Sequence, residues 1–122
     1  MLALSEGMQI GLNSGLDAKT LSEIINKSTA RSWTSEHYNP VPGVFIDSPA
    51  SHEYEGGFAS TLTAKDLRLA RELATATSTV SPLGEITSKI FEEMIMFPQF
   101  AKKDFSIVYQ YIQSNNCSEE QH

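Results

Sequence analysis

Apolar residues recur at helical spacing along most of this chain, and the pattern predicts five main helices. Near the N-terminus Leu4, Met8 and Leu12 recur every fourth residue, which predicts a first helix over residues 2–13. No capping residue precedes this helix, and two interior glycines lower its intrinsic stability. We therefore expect it to be the tail of a longer helix that packs closely against a neighbour.

A second helix and a long loop follow. Gly15 is suited to end the first helix, and Asp17 can cap the second. One further helical turn is expected over 31–37, around Trp33. Between residues 39 and 57 prolines and glycines occur without any period, which predicts a long irregular loop. Loops of this length in a small domain are often functional.

The second half of the chain is again helical in pattern. Helices are expected over 60–76, from Pro82 to a stop at Pro98, and after a cap at Asp104, with a frayed polar tail over 115–122. The periodic apolar positions, which form one face of each helix, are Leu62, Leu69 and Leu73 in the first of these helices, Leu83, Ile86, Ile90, Met94 and Phe97 in the second, and Phe105, Val108, Tyr109 and Ile112 in the last. No segment alternates as a strand does, so the expected class is all-α.

Composition and charge exclude several classes of protein. The 122 residues suit one domain, and 40% hydrophobic residues are enough for a core. The net charge is −6, and the acidic and basic residues are scattered so that the sequence indicates no basic face. This argues against binding to nucleic acid or to an anionic membrane. No apolar run is long enough to span a bilayer, and the N-terminus does not resemble a targeting signal.

Motifs for metal, nucleotide or nucleophilic chemistry are missing. His37, His52 and His122 lack the spacing of metal ligands, and Cys117 is the only cysteine, so neither a metal site nor an internal disulfide is expected. The chain has no GxSxG motif and no glycine-rich phosphate loop.

One segment, YEGGFASTLTAKDLRLA, combines side chains that could bind a ligand. On a helix Phe58, Lys65 and Asp66 return to nearly the same side, where they could surround an anionic or hydroxylated molecule. Periodicity alone favours a simpler interpretation, a solvated Lys–Asp pair and a core phenylalanine. Trp33 likewise allows two interpretations, a residue of the hydrophobic core or a residue with a role in function.

Four segments of the chain resemble, in this order, segments of the 3-hydroxyisobutyrate dehydrogenases of the β-hydroxyacid dehydrogenase group. They are GLDAKTLSEIIN, STARSWTSEHYNPVPGV, GGFASTLTAKDLRLA and KKDFSIVYQYI. The resemblance implies that residues 1–122 are an all-α domain like the C-terminal domain of 6-phosphogluconate dehydrogenase. In that family a separate Rossmann domain binds NAD, and a catalytic lysine precedes the part that this chain resembles. We expect both to be missing here, so that this chain alone is inactive.

The resemblance also implies roles for four residues. Lys65 matches a lysine that reaches the bound cofactor, and Asp66 matches a carboxylate that supports catalysis by ordering the site. Phe58 matches an aromatic wall of the substrate cleft, and Trp33 either shapes that cleft or holds the loop.

The implied activity is NAD-dependent conversion of 3-hydroxyisobutyrate to methylmalonate semialdehyde in mitochondrial valine degradation. The implied partners are a small hydroxy acid and a second copy of the chain, bound through the helices. Two alternatives stay open, a non-enzymatic helical module that self-associates and a sister dehydrogenase for another small acid. The sequence does not distinguish NAD from NADP as the cofactor.

Overall fold

The computed structural model describes residues 1–119, and side chains as far as Asn115. The expectations for the side chains of Cys117 and His122 lie outside this part. The helices are α1 (Leu2–Asn13), α2 (Ala18–Asn26), α3 (Trp33–His37), α4 (Ser60–Ala76), α5 (Pro82–Met94), α6 (Pro98–Ala101) and α7 (Val108–Glu119), with 3-10 turns at Pro49–His52 and Phe105–Ile107. The described residues include no strand, only a single antiparallel bridge between Ala59 and Asp104. None of their helices has the length and apolar character needed to cross a membrane.

The caps predicted in the first half of the chain are present. Asp17 accepts a hydrogen bond from the Thr20 N–H at 2.9 Å and so begins α2. The helical turn expected around Trp33 starts at that residue, because Ser32 caps it and forms a reciprocal pair of hydrogen bonds with Ser35. The close packing expected of α1 is confirmed at Gly11, where an added Cβ would lie 2.2 Å from the Leu21 side chain of α2.

Two predicted boundaries in the second half were wrong. Pro98 begins the short helix α6 instead of ending α5, since proline is well tolerated in the first turn of a helix. The polar tail expected from residue 115 is helical as far as Glu119. Residues 120–122 lie outside the described part of the chain.

Two clusters of buried side chains form the core. The larger consists of Ala50, Tyr54, Ala64, Phe91, Met94, Ile107, Val108 and Tyr111, and the smaller of Met8, Val41 and Tyr109. The long loop therefore contributes to both clusters. Tyr54 is only 1% exposed, and its hydroxyl donates to the Pro40 carbonyl at 2.8 Å. The loop is thus a packed part of the fold.

The apolar faces predicted for α4 and for the first half of α5 are exposed. Leu73 is 65% and Leu83 79% exposed. The two helices are joined by Arg71, whose guanidinium pairs with Glu85 at 3.1 Å and Glu92 at 3.0 Å. Exposed apolar surface of this kind is typical of an interaction site.

The buried carboxylate of Asp104 joins segments that are distant in sequence. Its Oδ1 accepts from the Tyr38 hydroxyl at 2.9 Å and from the Phe58 N–H at 2.8 Å. Its Oδ2 accepts from the N–H and the hydroxyl of Ser106, which confirms the predicted cap at this position. The Phe105 N–H donates to the Phe58 carbonyl at 2.8 Å, so the backbone just before α4 is bonded to the backbone just before α7.

Gly57 provides a test of this anchor. Gly56 and Gly57 both have positive φ, but only at Gly57 would an added Cβ meet Asp104, at 2.2 Å from its Oδ1. We expect Gly56→Ala to lower the free energy of unfolding by about 1 kcal/mol, the cost of a left-handed backbone. Gly57→Ala should cost about 3 kcal/mol, because the carboxylate must also move away from its donors. Urea unfolding measures both, and equal losses would contradict the anchoring role of Asp104.

Candidate functional site

An open groove of about 350 Å³ lies where the start of α4 meets the segment that leads into α7. Its lining residues are Phe58, Thr63, Asp66, Leu67 and Phe105. Two aromatic rings and a leucine make the groove mainly apolar, and one carboxylate makes it acidic at one point. A small molecule with an aliphatic part and a polar group fits such a surface.

The structure separates Lys65 from the other two residues of the predicted constellation. Phe58 and Asp66 line the groove, whereas Lys65 lines a neighbouring depression of about 330 Å³ between α4 and α5. Phe58 precedes the helix, which begins at Ser60, so helical spacing does not apply to it. Successive residues of a helix point about 100° apart, and this turns Lys65 away from Asp66.

The two side chains still meet, because the Lys65 Nζ lies 3.1 Å from the Asp66 Oδ1. Both are about half exposed, so this ion pair contributes little to stability. Arg68 lines the same depression as Lys65, one helical turn further along α4. Its Nε lies 3.9 Å from the Glu72 carboxylate. Two cations on one helical surface can hold an anionic group such as a phosphate.

Trp33 is an exposed aromatic and not a core residue. It is 61% exposed and stacks on Tyr38, with 5.3 Å between ring centroids. Tyr38 in turn stacks on Phe105 at 5.5 Å. Trp33 does not line the groove itself, but the stack connects it to the Phe105 wall.

Burial and the hydrogen bond to Asp104 raise the pKa of Tyr38 to about 12. Both causes favour the neutral phenol, because the charged form would lose hydration and face a carboxylate. The phenol therefore stays a hydrogen-bond donor to Asp104 throughout the neutral range.

Sequence reasoning missed Phe105 and Arg68 as site residues. The pattern placed Phe105 on the apolar face of the last helix, and only the contact between Phe105 and Phe58 places it at the groove. Arg68 could have been found from its position three residues after Lys65 on the same helix.

A larger depression, of about 610 Å³, lies beside α1 and α2 and has no acidic or basic side chain in its lining. Among the described side chains no group of three His, Cys, Asp or Glu residues is placed to hold a metal ion. His37 packs against Trp33, with ring centroids 5.9 Å apart.

Comparisons with known proteins match nearly the whole chain. Residues 1–112 match the family described as NAD-binding of NADP-dependent 3-hydroxyisobutyrate dehydrogenase. The mitochondrial 3-hydroxyisobutyrate dehydrogenase of Rattus norvegicus is 47% identical over 112 residues, which are 92% of this chain and 33% of that protein. The NAD-dependent L-serine dehydrogenase of Pseudomonas aeruginosa is 41% identical over 108 residues, 88% of this chain and 36% of that protein.

A solved structure is also similar. The Mycobacterium tuberculosis 3-hydroxyisobutyrate dehydrogenase with L-serine matches with a TM-score of 0.86 and 32% identity, over 90% of this chain and 37% of that chain. The chain thus spans about a third of the length of these relatives. The name of the rat protein places it in mitochondria, in agreement with the location expected from the resemblance.

The comparisons correct the fold assignment. The described residues are helical without a strand, as the all-α class requires. The likeness to the C-terminal domain of 6-phosphogluconate dehydrogenase was wrong, because the matching family is described as an NAD-binding domain. The resemblance assigned NAD binding mainly to a separate Rossmann domain, whose glycine-rich strand–turn–helix this helical chain lacks, and gave this chain only the contact through Lys65. The physical requirement is broader, since cations such as Lys65 and Arg68 on a helix can also contact a dinucleotide. NAD as the cofactor is confirmed at the level of the family.

The raised pKa of Tyr38 gives a testable dependence of stability on pH. The unfolded chain releases this proton near pH 10, whereas the folded chain holds it to about pH 12. The stabilisation is therefore complete below about pH 10 and is lost as the pH rises from about 10 to 12. We expect Tyr38→Phe to lose less stability over this range than the unsubstituted protein.

Urea midpoints at about pH 9 and about pH 11 measure the effect. Burial also raises the pKa values of Tyr54 and Tyr109, so both proteins should lose some stability. The stability lost by the unsubstituted protein minus the stability lost by Tyr38→Phe therefore measures the contribution of the Tyr38 hydroxyl alone. Equal declines would show that Tyr38 does not hold its proton against Asp104.

Proposed function

The chain belongs to the 3-hydroxyisobutyrate dehydrogenase family, and on that premise we propose that it provides the substrate groove and part of the cofactor surface of an NAD-dependent oxidoreductase. The proposed reaction is the reversible oxidation of 3-hydroxyisobutyrate to methylmalonate semialdehyde, in mitochondrial valine degradation. The observation that carries the proposal is the apolar groove, which Asp66 lines together with two phenylalanines, next to a depression lined by Lys65 and Arg68.

The cofactor surface consists of Lys65 and Arg68. Both line the depression between α4 and α5, and neither is held in a tight, buried ion pair. Their charges fit the phosphates of a dinucleotide, and the adjacent groove is large enough for a small acid but not for a whole dinucleotide. When bound, NAD supplies the hydride acceptor.

The groove residues act by position and by exclusion of water. Phe58 and Phe105 form apolar walls against which the branched carbon skeleton of the substrate packs. Asp66 can orient an ammonium or hydroxyl group at the edge of the groove, and its ion pair places it beside Lys65. The resemblance implies that the family's catalytic lysine lies outside the part that this chain matches, and we propose that the 122 residues alone have no turnover.

A sister activity has separate support. The Pseudomonas relative is named as an L-serine dehydrogenase, and the similar solved structure was determined with L-serine. The Asp66 carboxylate in the groove suits the ammonium group of such a substrate. L-Serine is therefore the second candidate substrate.

Self-association is a further part of the proposal. Four apolar side chains on α4 and α5 are half-exposed or exposed, namely Leu69, Leu73, Leu83 and Ile86. A second copy of the chain that covered these side chains would remove them from water. Sedimentation distinguishes this arrangement, with or without an enzymatic role, from a monomer.

The decisive experiment measures formation of reduced NAD by the full-length protein that contains this chain. We expect turnover with 3-hydroxyisobutyrate, and we expect Lys65→Ala to raise the KM for NAD about 10-fold, since one charge-assisted hydrogen bond contributes roughly 1.5 kcal/mol. Lys89→Ala is the matched control, because Lys89 is an exposed lysine that also pairs with a carboxylate, at 3.8 Å. Trp33→Phe should change the KM for NAD less than Lys65→Ala does.

Two outcomes would contradict the proposal at different levels. If neither 3-hydroxyisobutyrate nor L-serine nor another small hydroxy acid reduces NAD, the dehydrogenase function is wrong. If Lys65→Ala and Lys89→Ala have equal, small effects, the cofactor surface lies elsewhere.

A further inference from the structure

The two aromatic walls of the groove are connected through one buried side chain. Phe58 donates its N–H to the Asp104 Oδ1, and Phe105 is the residue that follows Asp104 in the chain. The Phe105 N–H closes the connection by donating to the Phe58 carbonyl. Asp104 itself has no exposed surface and does not line the groove.

From this geometry, and on the basis of the proposed function, we infer that Asp104 is a positioning residue that sets the separation of Phe58 and Phe105 and hence the fit of the substrate. It acts through the backbone of both residues. Through Tyr38 it also aligns the aromatic stack that supports Phe105 from behind.

Only a carboxylate can make all of these bonds. One oxygen faces the Phe58 N–H and the other faces the Ser106 N–H, and a backbone N–H cannot become an acceptor. An asparagine would therefore direct its NH₂ group at an N–H donor in either orientation of the amide. No ion pair joins Asp104 to a lysine or arginine among the described residues, so these donors alone stabilise its charge.

A control must separate positioning from general loss of stability. Tyr54→Phe suits this purpose, because it removes a buried hydrogen bond from the same loop, to the Pro40 carbonyl. The Tyr54 hydroxyl bonds neither Phe58 nor Phe105. Its loss should destabilise the protein without a change in the groove.

The first readout needs no substrate. We expect hydrogen exchange at the Phe58 and Phe105 amides to be about 10-fold faster in full-length Asp104→Asn, and the same two amides to keep their protection in Tyr54→Phe. The Phe105 amide is the critical one, because it does not bond Asp104 itself.

The second readout is kinetic. We expect Asp104→Asn to raise the KM for 3-hydroxyisobutyrate about 10-fold, because misplaced walls fit the substrate less well, with a change of less than about twofold in the KM for NAD. If Asp104→Asn does not fold, Tyr38→Phe removes one donor from Oδ1 and keeps the ring. It should show the same pattern to a smaller extent.

The outcomes separate this inference from the proposed function. Unchanged exchange at Phe105, or a KM for substrate that moves no more than in Tyr54→Phe, would overturn the positioning role while the dehydrogenase function stands. Faster exchange in a protein that oxidises no small hydroxy acid would support the control of the walls by Asp104 and refute the proposed function.

Discussion

The buried carboxylate of Asp104 is the constraint on which the site depends. A buried charge is costly unless it is satisfied by partners, and here hydrogen bonds from three separate parts of the chain satisfy it. The donors are Tyr38 directly after α3, Phe58 shortly before α4, and Ser106 in the 3-10 turn that precedes α7. If the loop left the core, the buried Oδ1 would lose its two distant donors, Tyr38 and Phe58, which lie at the two ends of the loop. This explains how Phe58, at the end of the irregular segment between α3 and α4, is held in a defined place at the groove.

Local sequence rules predicted the helices well, because capping and periodicity are short-range effects. The Asp17 cap and the bounds of α4 follow from residues within a few positions of each other. The same rules failed for the leucines of α4. A periodic stripe shows that a helix has an apolar face, but it does not show what that face packs against. In this structure Leu62, Leu69 and Leu73 are exposed, and Arg71 makes the polar contacts between α4 and α5.

The candidate site was predictable in part. The composition of one segment indicated Phe58, Lys65 and Asp66, and the structure brings two of them into one groove. Phe105 was out of reach, because its role depends on a contact across more than forty residues. NAD binding was predicted only through the resemblance, which implied Lys65 as a contact to the cofactor. The residues alone did not indicate it, because the chain has no glycine-rich loop and cations on a helix form no comparably distinctive motif.

The most direct test of the proposed site is a crystal structure of the full-length protein with NAD and 3-hydroxyisobutyrate. We expect the acid between the rings of Phe58 and Phe105, and an oxygen of the dinucleotide within about 3 Å of the Lys65 Nζ. A substrate bound in the depression beside α1 and α2, with the Phe58–Phe105 groove empty, would contradict the assignment.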